Sequence, residues 1–338
     1  MNRDVNLCIW KHFVLPALCL AASLQTGAAQ PAQVVLKIDL ENYVQYWEDS
    51  SDATKFGTSP NQTTTTPIVF MSNVHIADVV AVNGKPAKGT FVSRTQLFRY
   101  NPSPASGQTI ADVARSGGPA LVSIEILQPD GTPVGMIMSQ MLVAGAPPPG
   151  APASILGGSG VVVGGTGAFL GAVGQCGGGT GSGIRNASYT EDPAKRRLYG
   201  GGKGEMIVVL IPMFRPEIRS DAGRPVVVHA EDFSLVTAAK PAKAGEILSL
   251  FATGLGPVRA SLDPGQPFPT SPLAVVSSPV EVAVNGTPAE VLAAVGSPAS
   301  VNTYQVNFRM PANTERGMAS VQLSAGWIPG SPVAIAVQ

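Results

Sequence analysis

A carboxylate on the wall of an apolar cavity can act as a general acid or base, and Glu125 is the residue placed to try that role. It sits in residues 119–127 (PALVSIEIL), where Val122, Ile124 and Ile126 point one way and Ser123 and Glu125 the other. If the polar face lines an interior, Glu125 titrates in a low dielectric and is the catalytic candidate. If that face meets solvent, Glu125 is a surface carboxylate, the commoner fate of its type. Arg94, in residues 90–100, and Gln140, in residues 133–143, carry the same two readings, as ligand-binding groups or as surface groups. Phe169 is a third ligand-binding candidate, as an apolar wall. Metal chemistry lacks its ligands: beyond His12 the chain has only His75 and His229, far apart, with no HExxH and no cysteine pair. Cys8 and Cys19 belong to the N-terminal segment, so Cys176 is left without a disulfide partner or a redox CxxC, and its thiol reads as inert.

The most conspicuous stretch is residues 156–183, in which Val161, Val162 and Val163 run into Gly164, Gly165, Thr166 and Gly167, with Phe169 and Gly171 following. One reading is the start of a dinucleotide-binding unit, where glycines let backbone amides approach a pyrophosphate at a helix N-terminus. That reading needs a helix next, yet residues 171–183 hold seven glycines, each costing about 1 kcal/mol in a helix relative to alanine. It also needs a second strand ending in an acid; Glu191 and Asp192 lie at the right distance, but no strand precedes them. The other reading is a bent strand and tight corner, and no cofactor is expected.

The elements around these residues are strands. Apolar and polar residues alternate in 33–40, 90–100, 119–127 and 133–143, and Asn83-Gly84 and Asp130-Gly131 mark hairpin turns. Ile110–115 is left between a short helix and an irregular strand. No amphipathic helix of a dozen residues appears before residue 217, so the first domain, 30–217, is antiparallel all-β. Tyr43, Tyr46 and Trp47 suit a barrel mouth or a packed interface. Residues 182–199, with Arg185, Lys195, Arg196 and Arg197, read as a mobile solvated loop. Residues 218–224 form a linker, and 225–338 hold seven short strands, the profile of an immunoglobulin-like β-sandwich. Residues 1–29 have a basic start, an apolar run and a small-residue cleavage site at Gly27-Ala28-Ala29, which predicts a signal peptide and a secreted or periplasmic protein. The apolar run is too short for a stable membrane span after cleavage. With 22 basic and 22 acidic residues and 13% charge overall, no surface for nucleic acid is indicated.

Two resemblances follow from these residues. GGTGAFLGAVGQ (164–175), with the strands before it, resembles the signature of the allene oxide cyclase and dirigent barrel superfamily, which implies an antiparallel eight-stranded β-barrel. The sequence departs from that pattern at Pro147–149 and in a long insertion at 177–204. GEILSLFATGLGPV (245–258), PVEVAVNGTPAEVLAAVG (279–296) and YQVNFRMP (304–311) resemble the C-terminal β-sandwich appended to many secreted proteins of soil bacteria. No catalytic residue of the barrel superfamily can be carried over.

The reading that results is a secreted two-domain β protein, non-catalytic, with a barrel able to hold a small apolar or phenolic ligand. The alternative is a cyclase- or dirigent-like protein that steers a lipid epoxide or a phenolic radical. If it is an enzyme, it is an isomerase of the cyclase type. The resemblance also implies a homotrimer.

Overall fold

The computed structural model describes residues 33–49, 70–98, 119–142, 159–178, 183–187, 191–259, 262 and 265–338. Eight strands come first: β1 (Val34–Asp49), β2 (Phe70–Val82), β3 (Lys88–Phe98), β4 (Pro119–Leu127), β5 (Pro133–Leu142), β6 (Ser159–Gly167), β7 (Val173–Gly178) and β8 (Gly202–Ile211). They pair in chain order, all antiparallel, and β8 returns to β1. The sheet is a closed barrel, which leaves no free edge among these strands. Alternation sets what fills it. Leu36, Ile38 and Leu40 of β1, Ile124 and Ile126 of β4, Ile137 of β5 and Val208 and Leu210 of β8 are buried in one core.

The glycine-rich stretch is a strand, a turn and a returning strand. Gly167 ends β6 at φ +62°, and a Cβ there would lie 2.3 Å from the Val134 carbonyl oxygen. At Gly165 a Cβ would meet the Phe169 carbonyl oxygen at 2.5 Å. Both positions therefore need glycine for close backbone approach. The turn drives Phe169 into the barrel, where it is fully buried. No helix follows, and β7 runs antiparallel to β6, so the dinucleotide-binding arrangement is absent.

β1 carries the irregularity that matters most. Asn42 sits at φ +50°, and the register slips between Leu40 and Tyr43 against β8 and between Glu41 and Val44 against β2. An extra residue flips the phase of the strand. Beyond it Tyr43 and Gln45 face the lumen, whereas Val44 and Tyr46 face outward.

The second part has seven longer strands: β9 (Val227–His229), β10 (Ile247–Thr253), β11 (Val280–Val284), β12 (Thr287–Gly296), β13 (Tyr304–Arg309), β14 (Gly317–Ala325) and β15 (Val333–Val337). Their number is the seven expected from the sequence for 225–338. The order is β9-β10-β13-β12-β11-β14-β15 in one curled sheet. The curl comes from β12, whose first three residues pair with β11 while Glu290 to Gly296 pair with β13, across a bulge between Val291 and Ala293. The segment read as a linker is itself paired: Glu217 and Ile218 add to the edge of β10, and Ser220–Asp221 pairs with Arg224–Pro225.

Residues 33–338 form one compact unit. The turn after β14 carries Gly326 and Trp327 at φ +57° and +63°. It puts Ile328, 2% exposed, into the barrel core, with Trp327 packed beside it. Lys85 pairs with Glu281, Arg259 with Asp130, and the Gln128 amide donates to the Ser277 carbonyl.

Candidate functional site

The pleat places the sequence-derived candidates first. Ile124 and Ile126 occupy the lumen, so Glu125 stands on the outer wall, exposed, beside Thr90 and Met136 of the neighbouring strands. Arg94, between Ser93 and Thr95, and Gln140, between Ser139 and Met141, are exposed on the same outer wall. The interior roles considered for these three residues are therefore corrected: none reaches the lumen. Phe169 is inside, but in the filled base of the barrel rather than beside a polar group.

Of the polar residues that do face inward, Tyr43 alone was read as a mouth or interface residue, and Gln45, Asn73, Ser93, Thr95 and Ser139 were not singled out. Cross-strand register defines two adjacent lumen rows. One runs through Asn73, Thr95, Ala120, Met141, Gly160 and Cys176. The other runs through Gln45, His75, Ser93, Val122, Ser139 and Val162. Together they form a polar belt toward the end of the barrel at which β1, β3, β5 and β7 finish. The next row inward, Ala77, Phe91, Ile124 and Ile137, is apolar and fully buried.

Within the belt, Gln45 Oε1 lies 3.0 Å from His75 Nε2, so the ring donates there. That leaves Nδ1 to accept from the Tyr43 hydroxyl, at a long 3.5 Å. The Tyr43 ring stands edge-on to His75 and to Phe91, with centroids 5.7 and 5.5 Å apart. Burial disfavours charge on each partner: it lowers the His75 pKa and pushes the Tyr43 hydroxyl up to about 12. Burial likewise raises the Cys176 thiol, with Ser139 beside it acting in the opposite sense. The belt is thus neutral.

Three belt oxygens are buried without an oxygen or nitrogen partner: Asn73 Oδ1, Thr95 Oγ1 and Ser139 Oγ, the last beside only the weakly bonding Cys176 thiol. Such an atom costs about 1–3 kcal/mol when left unsatisfied, and native proteins hold few of them. Asn73 and Thr95 are direct cross-strand neighbours, yet neither satisfies the other.

A second polar cluster lies outside the barrel. The insertion expected to be a mobile solvated loop is ordered over 183–187 and 191–200: Arg185 and Asn186 pair in parallel with Val44 and Gln45 of β1, and the side chains of 185–197 reach the outward residues of β1 and β2. Arg185 grips Glu191 through two hydrogen bonds of 2.6 and 2.7 Å, and Tyr46 donates to Glu191 at 3.0 Å. Arg196 and Arg197 both pair with Asp78, which also accepts from Asn42 at 2.9 Å. Burial alone would raise the Asp78 carboxyl, but hydrogen bonds from Arg197 and Asn42 and the two arginine charges hold it below its ordinary value. Arg185 holds Glu191 low in the same way. Tyr43 and Tyr46, read together as a mouth or interface, thus part company: Tyr43 is in the lumen and Tyr46 lies under this strap. The Trp47 side chain, residues 110–115 and Pro147–149 lie outside the described residues.

Elsewhere, a cleft of about 790 Å³ runs between the 167–170 corner and the second part, lined by Leu170, Met213, Phe214, Phe268 and Tyr304 among others. Among the described residues no three His, Cys, Asp or Glu side chains converge as metal ligands. Nor is any described helix long and apolar enough to cross a membrane. Comparison with protein-family models, with curated proteins and with solved structures returns no match.

Proposed function

We propose that the barrel is a binding module for a small, largely apolar molecule that carries at least one oxygen function. The observation behind this reading is a set of buried lumen oxygens, Asn73 Oδ1 and Thr95 Oγ1 with no partner and Ser139 Oγ with only the Cys176 thiol beside it. Leucine, valine and alanine would fill those sites without the desolvation cost, so polar residues there point to a bound partner. Kinship with the allene oxide cyclase and dirigent barrels belongs to the same proposal. It is supported by the eight antiparallel strands and by the corner at Gly165 and Gly167. The rest of the proposal is export through residues 1–29, a homotrimeric assembly, and an immunoglobulin-like sandwich as an accessory domain. The seven strands and the shared strand β12 support the sandwich. The test is native mass spectrometry of the full chain with and without lipid and phenolic extracts. A retained small molecule is expected, and its loss in Thr95→Val is the confirming control. A barrel that stays empty under every condition would refute the reading.

A second reading rests on the Gln45–His75–Tyr43 chain. A neutral imidazole whose Nδ1 is only weakly engaged by a tyrosine hydroxyl is a candidate general base held away from water. It suits a cyclase- or dirigent-like protein acting on a lipid epoxide or a phenolic radical. His75→Gln separates the two readings. If turnover of a bound molecule disappears while retention persists, the protein is catalytic; if no turnover exists to lose, it is a carrier.

A further inference from the structure

We infer that the lumen ligand enters with its oxygen-bearing end first and that this end is uncharged, as in a phenol, an alcohol or an enone, not a carboxylate. The inference rests on the ligand-binding reading above and deepens it through two observations. The first is the placement of the belt. Below it, Ala77, Phe91, Ile124 and Ile137 are buried in the apolar core, so the belt is the innermost polar level a ligand can meet. The buried oxygens of Asn73, Thr95 and Ser139 then face its leading end. A molecule entering tail-first would leave those oxygens unsatisfied against hydrocarbon.

The second observation is the distribution of charge. Among the barrel-strand side chains that are described, every Asp, Glu, Lys and Arg stands on the outer wall, including Lys37, Asp78, Arg94, Glu125 and Glu205. Among the described residues, the lumen side chains that can titrate are His75, Tyr43 and Cys176, and burial disfavours charge on each of them. A carboxylate brought to the belt would lose its hydration and find no cation among the described lumen side chains. A hydroxyl or carbonyl can instead exchange hydrogen bonds with Asn73, Thr95 and Ser139, since the two hydroxyls donate or accept and the Asn73 oxygen accepts. Phe91 and the edge-on Tyr43 ring supply a floor suited to an aromatic or unsaturated leading group.

The experiment compares three probes of one shape, 4-butylphenol, butylbenzene and 4-butylbenzoate, by calorimetric titration into the full chain at pH 7.5. The phenol is expected to bind at least tenfold more tightly than the benzoate. Thr95→Val and Ser139→Ala are each expected to weaken the phenol about tenfold, the loss of one buried hydrogen bond, and to leave butylbenzene unchanged. Thermal unfolding of each variant confirms that it folds. Benzoate binding equal to or tighter than phenol binding overturns the inference and leaves the ligand reading standing. Equal effects of the variants on phenol and butylbenzene also overturn it, because the hydroxyl would then not be at the belt. Absence of binding by all three probes overturns the ligand reading itself.

Discussion

Thr95 is fully buried with its hydroxyl unpartnered, so its replacement has opposite signs in the free and bound protein. Thr95→Val keeps the shape and removes the orphan. The free protein is expected to gain about 1 kcal/mol of unfolding stability, read from denaturant titration, while ligand retention falls. His75 makes a second prediction. The unfolded chain protonates this ring near its ordinary value of 6.5, whereas burial lowers the folded value. Below 6.5 the unfolded state therefore binds more protons, and stability falls as pH drops through the interval between the two values. The wild-type midpoint in urea should fall more steeply between pH 7 and pH 5 than that of His75→Gln; parallel curves would show an ordinary histidine. The inward residues were only partly legible. The face shared by Phe91, Ser93 and Thr95 could be read from alternation, and it is the lumen face. Tyr43 and Gln45 could not, because the bulge at Asn42 inverts the phase of β1 and no local signal distinguishes Asn42 from the residues beside it. Glu125 drew attention because acids in strands are conspicuous, yet the same alternation that named it put Ile124 and Ile126 inside.

Among the elements, the strap over β1 and β2 departs furthest from expectation. Its arginines looked like a solvated charge run because their partners, Asp78 and Glu191, are far away or unremarkable in sequence. Asp78 is 12% exposed and Arg196 11%, so removing the carboxylate leaves a largely buried guanidinium uncompensated. Asp78→Asn should cost about 3 kcal/mol, and trypsin should then cut at Lys195, Arg196 or Arg197 in the otherwise native protein. Unchanged proteolysis would mean that Arg185 and Glu191 hold the strap unaided. Acid acts on the same contacts. With Asp78 and Glu191 held below their ordinary values of 3.8 and 4.5, their contribution is present above those values and is lost as pH falls through the lowered ones. The corner of β6, by contrast, was legible, because Gly165 and Gly167 answer to backbone sterics alone. Gly167→Ala would drive a methyl group into the Val134 carbonyl at an unfavourable φ, and a loss of about 2 kcal/mol or more in unfolding free energy is expected.

At the scale of the whole molecule, two all-β parts were legible from strand spacing, and their junction was not. Nothing local distinguishes Trp327 and Ile328 from any other hairpin turn; only the closed barrel shows that this turn finishes a core begun at Val34. Ile328→Ala removes a buried side chain from the barrel while altering a residue of the second part. It should cost about 3 kcal/mol and lower the barrel's calorimetric transition first; a single transition shifted as a whole would mean that the two parts unfold together. The position of Ile328 also has a temporal meaning. The last barrel strand ends at Ile211, so a growing chain that has just completed its eighth strand still lacks the piece that seals the first core. A growing chain would spend that interval with the base of its barrel open, soft and sticky. The C-terminal part then acts as an intramolecular latch on assembly, and chains truncated before residue 328 should accumulate as aggregation-prone species rather than as free-standing barrels.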